Sequence, residues 1–233
     1  MHRPRRVTRH SIALMISLSV AATGAAAITL ATTSASAATS CGAGYVALTF
    51  DDGPNASTTS SLLSVLKSAS VRATLFNIGQ NAASNPSLVK AEAAAGMWIG
   101  NHSYTHPHLT TLSQAQIQSE LSKTQSAISG AGGGTPKLFR PPYGETNATV
   151  KTVESQLGLT EIIWNVDSQD WNGASTAAIV AAAAKLTAGQ IILMHDNYAT
   201  TRAAIPQIVS GLASRNLCAG MISPQTGRAV APA

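Results

Sequence analysis

Hydrophobic and polar positions along the chain fall into two repeating patterns: short apolar runs of strand length, and longer stretches with helical spacing between them. Tyr45 to Phe50 is the first such run, and it stops at Asp51-Asp52-Gly53-Pro54. A helix is expected from about Ser57 to Ser70, with Leu62, Leu63, Val65 and Leu66 on its apolar side, then a strand near Ala73 to Asn77. Pro86 opens another helix through Ala95, because proline suits a first helical turn, and Gly96 ends it. Met97 to Gly100 reads as a short strand that delivers Asn101-His102. Ser113 to Ser129 is the clearest amphipathic helix, with Ile117, Leu121 and Ile128 on one side and Ser113 as N-cap. Further on, Lys137 to Arg140, Glu161 to Val166 and Gln190 to Met194 read as strands, and Thr146 to Leu157, Thr176 to Leu186 and Arg202 to Ser214 as helices. Strands alternating with helices argue for one α/β domain on a mainly parallel sheet or barrel.

The N-terminus departs from this pattern. Arg3, Arg5, Arg6 and Arg9 precede a stretch with no charged residue from Ser11 to Ala37, closing on Ala35-Ser36-Ala37. Such a segment reads as a secretory signal peptide, residues 1–37, cleaved after Ala37 and leaving residues 38–233 as the working domain. An uncleaved membrane anchor is the other reading, weakened by the Ala, Thr, Ser and Gly that dilute the stretch. Arg5-Arg6 leaves both general and twin-arginine export open. Cleavage removes four of fifteen basic residues and none of the ten acidic ones, so the net charge drops to 11 minus 10, or +1. No basic patch with interleaved aromatics remains, so no nucleic-acid partner is expected. No stable membrane association after cleavage and a monomeric state are expected as well. Cys41 and Cys218 would meet an oxidising compartment, and a single disulfide joining the two ends follows, with two free thiols as the alternative.

Candidate chemistry clusters where the apolar runs stop. Neighbouring side chains of a strand point to opposite sides, so Asp51 and Asp52 can take different tasks, one holding a cation and the other handling a proton. His102 and His106, four apart, can reach one ion. Pro107 disfavours helix at His106, which predicts one turn followed by an extended exit. Two histidines and one aspartate leave a coordination position open, the mark of a catalytic rather than a structural site. A cation would also let both aspartates stay ionised side by side. Arg140-Pro-Pro-Tyr143 and Leu193-Met-His195 end two further runs, and Asp167-Ser-Gln-Asp-Trp171 adds carboxylates able to orient a histidine. A surface ion pair for Arg140, a packed neutral His195 and a surface histidine pair are the plainer readings, and His108 is assigned to the surface. Gly130 to Gly134 follows a helix and lacks a Gly-Lys-Ser/Thr ending, so it is a flexible turn and no phosphate loop. Gly173-Ala-Ser-Thr-Ala177 misses the last glycine of a serine-esterase elbow.

Taken together, these stretches resemble the polysaccharide deacetylases of NodB type, carbohydrate esterase family 4. Thr49-Phe-Asp-Asp-Gly-Pro54, His102-Ser-Tyr-Thr-His106, Arg140-Pro-Pro-Tyr143, Asp167-Ser-Gln-Asp-Trp171 and Leu193-Met-His195 look like the family's five motifs in its order. The resemblance implies a distorted (β/α) barrel and one divalent metal on Asp52, His102 and His106, zinc first, with cobalt or another divalent ion possible on the same donors. It further implies Asp51 as general base held by Arg140, and His195 as acid paired with Asp170. The backbone N–H of Tyr143 would share the oxyanion with the metal, while Trp171 and Leu193 wall a pocket for the acetyl methyl. The implied activity is that of a secreted enzyme hydrolysing acetyl groups from carbohydrate polymers, outside the cell. The compact chain leans toward secreted bacterial acetylxylan esterases and O-acetylated xylan, with chitin oligomers and peptidoglycan left open. A non-catalytic carbohydrate-binding protein on the same scaffold is the reading from another class, and intact Asp51 and His195 argue against it.

Overall fold

The structure, a computed structural model, describes residues 40–232. The expected signal peptide lies outside the described residues. The chain runs through β1 (Gly44–Gly53), α1 (Thr59–Ser68), β2 (Thr74–Asn77), α2 (Gly79–Ser84), α3 (Pro86–Ala94), β3 (Trp98–Asn101), α4 (Gln114–Gly130) and β4 (Leu138–Phe139). It continues through α5 (Ala148–Gln156), β5 (Thr160–Glu161), β6 (Val166–Asp167), α6 (Thr176–Ala183), β7 (Ile191–His195) and α7 (Ala199–Ala213). Three short strands close it: β8 (Leu217–Ala219), β9 (Met221–Ile222) and β10 (Ala229–Val230). The main sheet is parallel throughout, in the order β5-β4-β3-β2-β1-β7-β6, with β8 paired to the start of β1 and β9-β10 forming a separate antiparallel ribbon.

The sheet curls into the distorted barrel that the sequence resemblance implies. Glu161 to Asn165 was expected to belong to one strand ending at Val166; instead β5 and β6 lie at opposite edges of the sheet. Laid flat, those edges would stand six strand spacings of about 4.8 Å, or about 29 Å, apart. The chain from Glu161 to Val166 takes five steps, each reaching at most about 3.6 Å, so it spans at most about 18 Å. Only a curled sheet brings the edges close enough. Ile162 N–H donates to Phe139 O at 2.7 Å on one edge and Asn165 N–H to Ile191 O at 2.9 Å on the other, so this short link is tied to both.

Period-two alternation assigns the two faces of β1. Val46, Leu48 and Phe50 pack into the main core against α1, α6 and α7, and Ala47 joins a second cluster with Phe76, Ile162 and Ile191 inside the curl. Each fully buried side chain of that size contributes about 1.5–3 kcal/mol. The inner face continues through Thr49 to Asp51, which places a carboxylate at the barrel mouth by alternation alone. A third cluster, with Ile117, Leu121, Phe139 and Val150, seats α4 and α5 against β4. Helix α2 and strands β8 to β10 were not anticipated: they are too short to show a period. The expected disulfide is present, Cys41 to Cys218 with Cα atoms 5.3 Å apart across 177 residues.

Candidate active site

Five strand ends deliver the polar residues to one mouth: Asp51 on β1, His102 after β3, Arg140 after β4, Asp167 on β6 and His195 on β7. A cavity of about 330 Å³ opens there, lined by Asp51, Asp52, His102, His106, Leu193 and His195, with Tyr143 and Trp171 at its rim. Arg140 and Asp170 lie behind the lining, fully buried, each holding one of the residues that face the cavity.

The two aspartates do not separate to opposite faces as strand alternation predicts. The register of β1 against β2 slips between Asp51 and Gly53, and Asp52 takes a left-handed backbone with φ of 70°. A bulge of this kind re-aims the side chain that follows it. Both carboxylates therefore reach the same imidazole, Asp51 Oδ2 at 3.7 Å and Asp52 Oδ1 at 3.6 Å from His102 Nε2. They still differ in surroundings, because Asp51 is buried and Asp52 half-buried.

His106 Nε2 also stands 3.6 Å from Asp52 Oδ1. Two donor atoms about 2.1 Å from an ion at a tetrahedral angle are about 3.4 Å apart, so these separations suit one small divalent cation. Asp52 Oδ1 is buried and has no hydrogen-bond partner, which fits an oxygen kept for a metal. His102 Nδ1–H donates to Arg140 O at 2.7 Å, fixing the tautomer that leaves Nε2 free as ligand. Burial, against the pull of Asp52, pushes His102 down to about 3, so the imidazole is neutral as a ligand must be. No helix carries the pair: Ser103 and His106 are left-handed, with φ of 61° and 59°, and the loop has no regular structure from His106 to His108. Glu120 of α4 accepts the N–H groups of Tyr104 and Thr105, both at 2.8 Å, and fastens that loop.

Asp51 is held from behind. Arg140 Nη1 donates to Asp51 Oδ1 at 2.7 Å and to Thr49 Oγ1 at 2.8 Å, while Nε donates to Ile162 O at 3.2 Å. The guanidinium carbon lies over the rings of Phe76 and Trp164, 4.2 and 5.7 Å from their centroids. Burial raises the Asp51 pKa, and Arg140 pulls it back toward the ionised form.

His195 faces Asp51 across the paired strands β1 and β7. Its Nδ1–H donates to Asp170 Oδ1 at 2.8 Å, its backbone N–H donates to Oδ2 at 2.8 Å, and Thr201 Oγ1 donates to the same oxygen at 2.7 Å. Burial works to lower the His195 pKa, yet the Asp170 hydrogen bond and the charges of Asp51, Asp170 and Asp52 outweigh it and raise it. Burial works the other way on Asp170, and the bonds from His195 and Thr201 bring it below the ordinary carboxylate range. Asp167 is not part of this pair: it accepts from Gln169 N–H and from Trp171 Nε1.

The geometry matches a family. The pattern described as "Polysaccharide deacetylase" fits residues 39–162, more than half of the chain and three of the five motif stretches. This protein belongs to the polysaccharide deacetylase family. A family 4 carbohydrate esterase from Streptomyces lividans, solved in complex with acetate, is 68% identical at a TM-score of 0.80, covering 82% of this chain and 98% of that one. A bifunctional xylanase/xylan deacetylase of Cellvibrio japonicus is 51% identical over 81% of this chain. The peptidoglycan-N-acetylglucosamine deacetylase PgdA of Listeria monocytogenes is 41% identical over 73%. The matched segments make up 29% and 36% of those two longer proteins.

Among the deacetylase residues, several escaped sequence reasoning. Thr49 and Thr201 carry hydroxyls that fix Arg140 and Asp170, yet a threonine in an apolar run or at a helix start gives no chemical signal. Trp164 lines the cavity and packs on Gly144, where a Cβ would stand 2.9 Å from its ring. Reading Glu161 to Val166 as one strand hid it. His108 stays outside the cavity lining, as expected, and stacks on Tyr143 with centroids 4.1 Å apart.

Proposed function

We propose that this polysaccharide deacetylase hydrolyses acetyl esters on O-acetylated xylan, outside the cell. One observation carries the deacetylation: a metal triad, an Arg140-held carboxylate and an Asp170-held imidazole converge on one cavity. Asp52, His102 and His106 would hold a divalent ion, zinc by their mixture of one oxygen and two imidazole donors. When bound, the ion supplies Lewis acidity that polarises an acetyl carbonyl and acidifies nearby water.

The remaining work falls to the chain's own groups. Asp51 takes the proton of the attacking water, and Arg140 keeps its carboxylate ionised and aimed. The Tyr143 N–H donates to the oxyanion; the residue's left-handed backbone, φ of 60°, supports a peptide turned for that task. His195 gives its Nε2 proton to the departing oxygen, since Nδ1 is committed to Asp170. Leu193 and the rim ring of Trp171 exclude water from around the acetyl methyl. Tyr143 and Trp171, 55% and 52% exposed, present flat rings at the rim, and an open rim suits a long polymer. The identity to the Cellvibrio xylan deacetylase, 51% against 41% for the Listeria relative, favours xylan over peptidoglycan. The disulfide supports an oxidising, extracellular setting.

Acetate release measured side by side on acetylxylan, chitin oligomers and peptidoglycan tests this reading. Acetylxylan is expected to be cleaved fastest, and the activity to vanish on chelation and return with zinc. Asp51→Asn is expected to keep the metal and lose about 10²- to 10⁴-fold in turnover. Faster release from peptidoglycan would move the substrate, and full activity in a metal-free sample would remove the mechanism.

A further inference from the structure

Beneath the metal-binding strand end lies a second polar cluster that the chemistry above does not use. Asn77 ends β2 directly opposite Gly53 of β1, Glu92 comes from α3, and Asp196 follows β7. All three are buried, with Asn77 fully inaccessible and Glu92 and Asp196 only 1% and 2% exposed. Asn77 Nδ2 donates to Glu92 Oε2 at 2.6 Å. The other edges of these groups have nothing to meet: Asn77 Oδ1, Glu92 Oε1 and Asp196 Oδ1 are buried without a hydrogen-bond partner.

Their directions converge. A Cβ placed on Gly53 would stand 3.2 Å from Asn77 Oδ1, 3.2 Å from Asp196 Oδ2 and 3.9 Å from Glu92 Oε1, so the three side chains meet at this one spot. Asp196 Oδ2 accepts from Thr59 Oγ1, whereas Asn77 Oδ1 and Glu92 Oε1 converge without a donor. Left so, an amide oxygen and a carboxylate oxygen are both buried and unsatisfied, a cost of several kcal/mol for an ion in a dry interior. A proton on Glu92 Oε1 removes the conflict. The carboxylic acid then donates to Asn77 Oδ1 while accepting from Asn77 Nδ2, and acid and amide close a two-bond ring.

We propose that Glu92 is a positioning residue that stays protonated in the working enzyme, joins Asn77 through both edges of its amide, and thereby fixes the strand end carrying Asp51 and Asp52. The backbone contacts show how the effect travels. Ile78 N–H, next to Asn77, donates to Gly53 O at 2.9 Å, and Asp196 N–H donates to Asp51 O at 3.3 Å. Asn81 Nδ2 donates to Asp52 O at 2.9 Å. Asp51 and Gly53 are thus gripped by the cluster or its neighbour in sequence, and Asp52 by Asn81 of α2, the helix that follows Asn77. Burial, helped by the nearby Asp196 charge and opposed by the Asn77 bond, raises Glu92 to about 8, in keeping with a neutral acid at physiological pH. Asp196 is the charged group facing Glu92 from outside α3; burial raises its own pKa, and Thr59, Thr58 and Arg202 oppose that rise.

The inference rests on Asp51 and Asp52 doing the work assigned above, and its test has readouts that do not need that work. In infrared difference spectra of wild type minus Glu92→Gln, the carbonyl band of a protonated buried acid is expected at neutral pH and is expected to fade above about pH 8. Absence of that band at neutral pH overturns the proposal, since an ionised Glu92 with a bridging water would show none. Glutamine copies the neutral acid, offering one donor and one acceptor, so Glu92→Gln should keep kcat/KM and zinc affinity within about threefold. Glu92→Leu offers neither, and should lose about tenfold or more in both. A glutamine variant as impaired as the leucine variant would mean that the carboxylate charge is what matters, and overturns the proposal. If no acetate is released by any of the proteins, the deacetylase reading fails while the infrared band and zinc affinity still decide the state of Glu92.

Discussion

At the scale of single residues, the site works by dividing similar groups through their surroundings. Asp51 and Asp52 are adjacent and chemically identical, yet one is buried against a guanidinium and the other presents an unpartnered oxygen to two imidazoles. His195 and Asp170 show the same logic with opposite signs. The His195 pKa is raised above its ordinary 6.5, so its share of stability is complete below 6.5 and is lost as pH rises through the folded value. The Asp170 pKa is lowered from 3.8, so its share is complete above 3.8 and is lost as pH falls through the folded value. The pair therefore contributes fully only between those limits. Asp170→Asn removes the partner that holds the His195 proton. The alkaline limb of the kcat profile is expected to move to lower pH, with turnover down about 10²-fold at mildly alkaline pH. An unmoved limb in that profile would mean that His195 is not the proposed acid.

At the scale of elements, one helix does most to shape the metal loop. Helix α4 is well started: Ser113 accepts from Gln116 N–H, and the Gln116 side chain accepts in return from Ser113 N–H. Its apolar stripe seats it, and its polar side holds the loop through Glu120 and through Leu121 O, which accepts from Asn101 Nδ2 at 2.9 Å. The loop needs such an external hold because left-handed Ser103 and His106 give it no repeating hydrogen bonds of its own. Glu120→Ala leaves all three ligands in place but frees the Tyr104 and Thr105 amides. Metal affinity measured by titration calorimetry is expected to drop about 10- to 100-fold, the usual effect of losing an outer support of a metal site. An unchanged affinity would show that the loop is held by its ligands alone.

At the scale of the whole molecule, the two ends of the domain are joined twice. Strand β8 pairs with the start of β1, and the Cys41–Cys218 disulfide spans 177 residues across the same junction. By the chain-entropy argument a loop of that length adds at most about 5 kcal/mol. A Cys41→Ser, Cys218→Ser double variant is expected to keep its fold and neutral-pH activity and to unfold at lower urea, with a loss of about 2–5 kcal/mol. The site should be indifferent to the change, because the bond lies at the start of β1 and the chemistry at its end.

Much of this protein was written locally. The period-two run Val46 to Phe50, the stripe of α4, the N-cap at Ser113 and the proline opening α3 depend on near neighbours, and each can be read along the chain. The site's chemistry was legible for a related reason: aspartates, histidines and an arginine at the ends of apolar runs are costly to place there without use. What the tertiary structure alone decided is how those groups are aimed. Five of the seven non-glycine residues with positive φ among the described residues, Asp52, Ser103, His106, Tyr143 and Gln169, fall within the motif stretches. Only contacts from distant elements can hold such conformations, as Asn81 does at Asp52 and Glu120 does beside Ser103. The split of Glu161 to Val166 between opposite sheet edges, the hydroxyls of Thr49 and Thr201, and the pairing of Glu92 with Asn77 likewise exist only once the sheet has curled. Periodicity is a property of adjacent residues, whereas register, bulges and burial are properties of residues far apart in sequence.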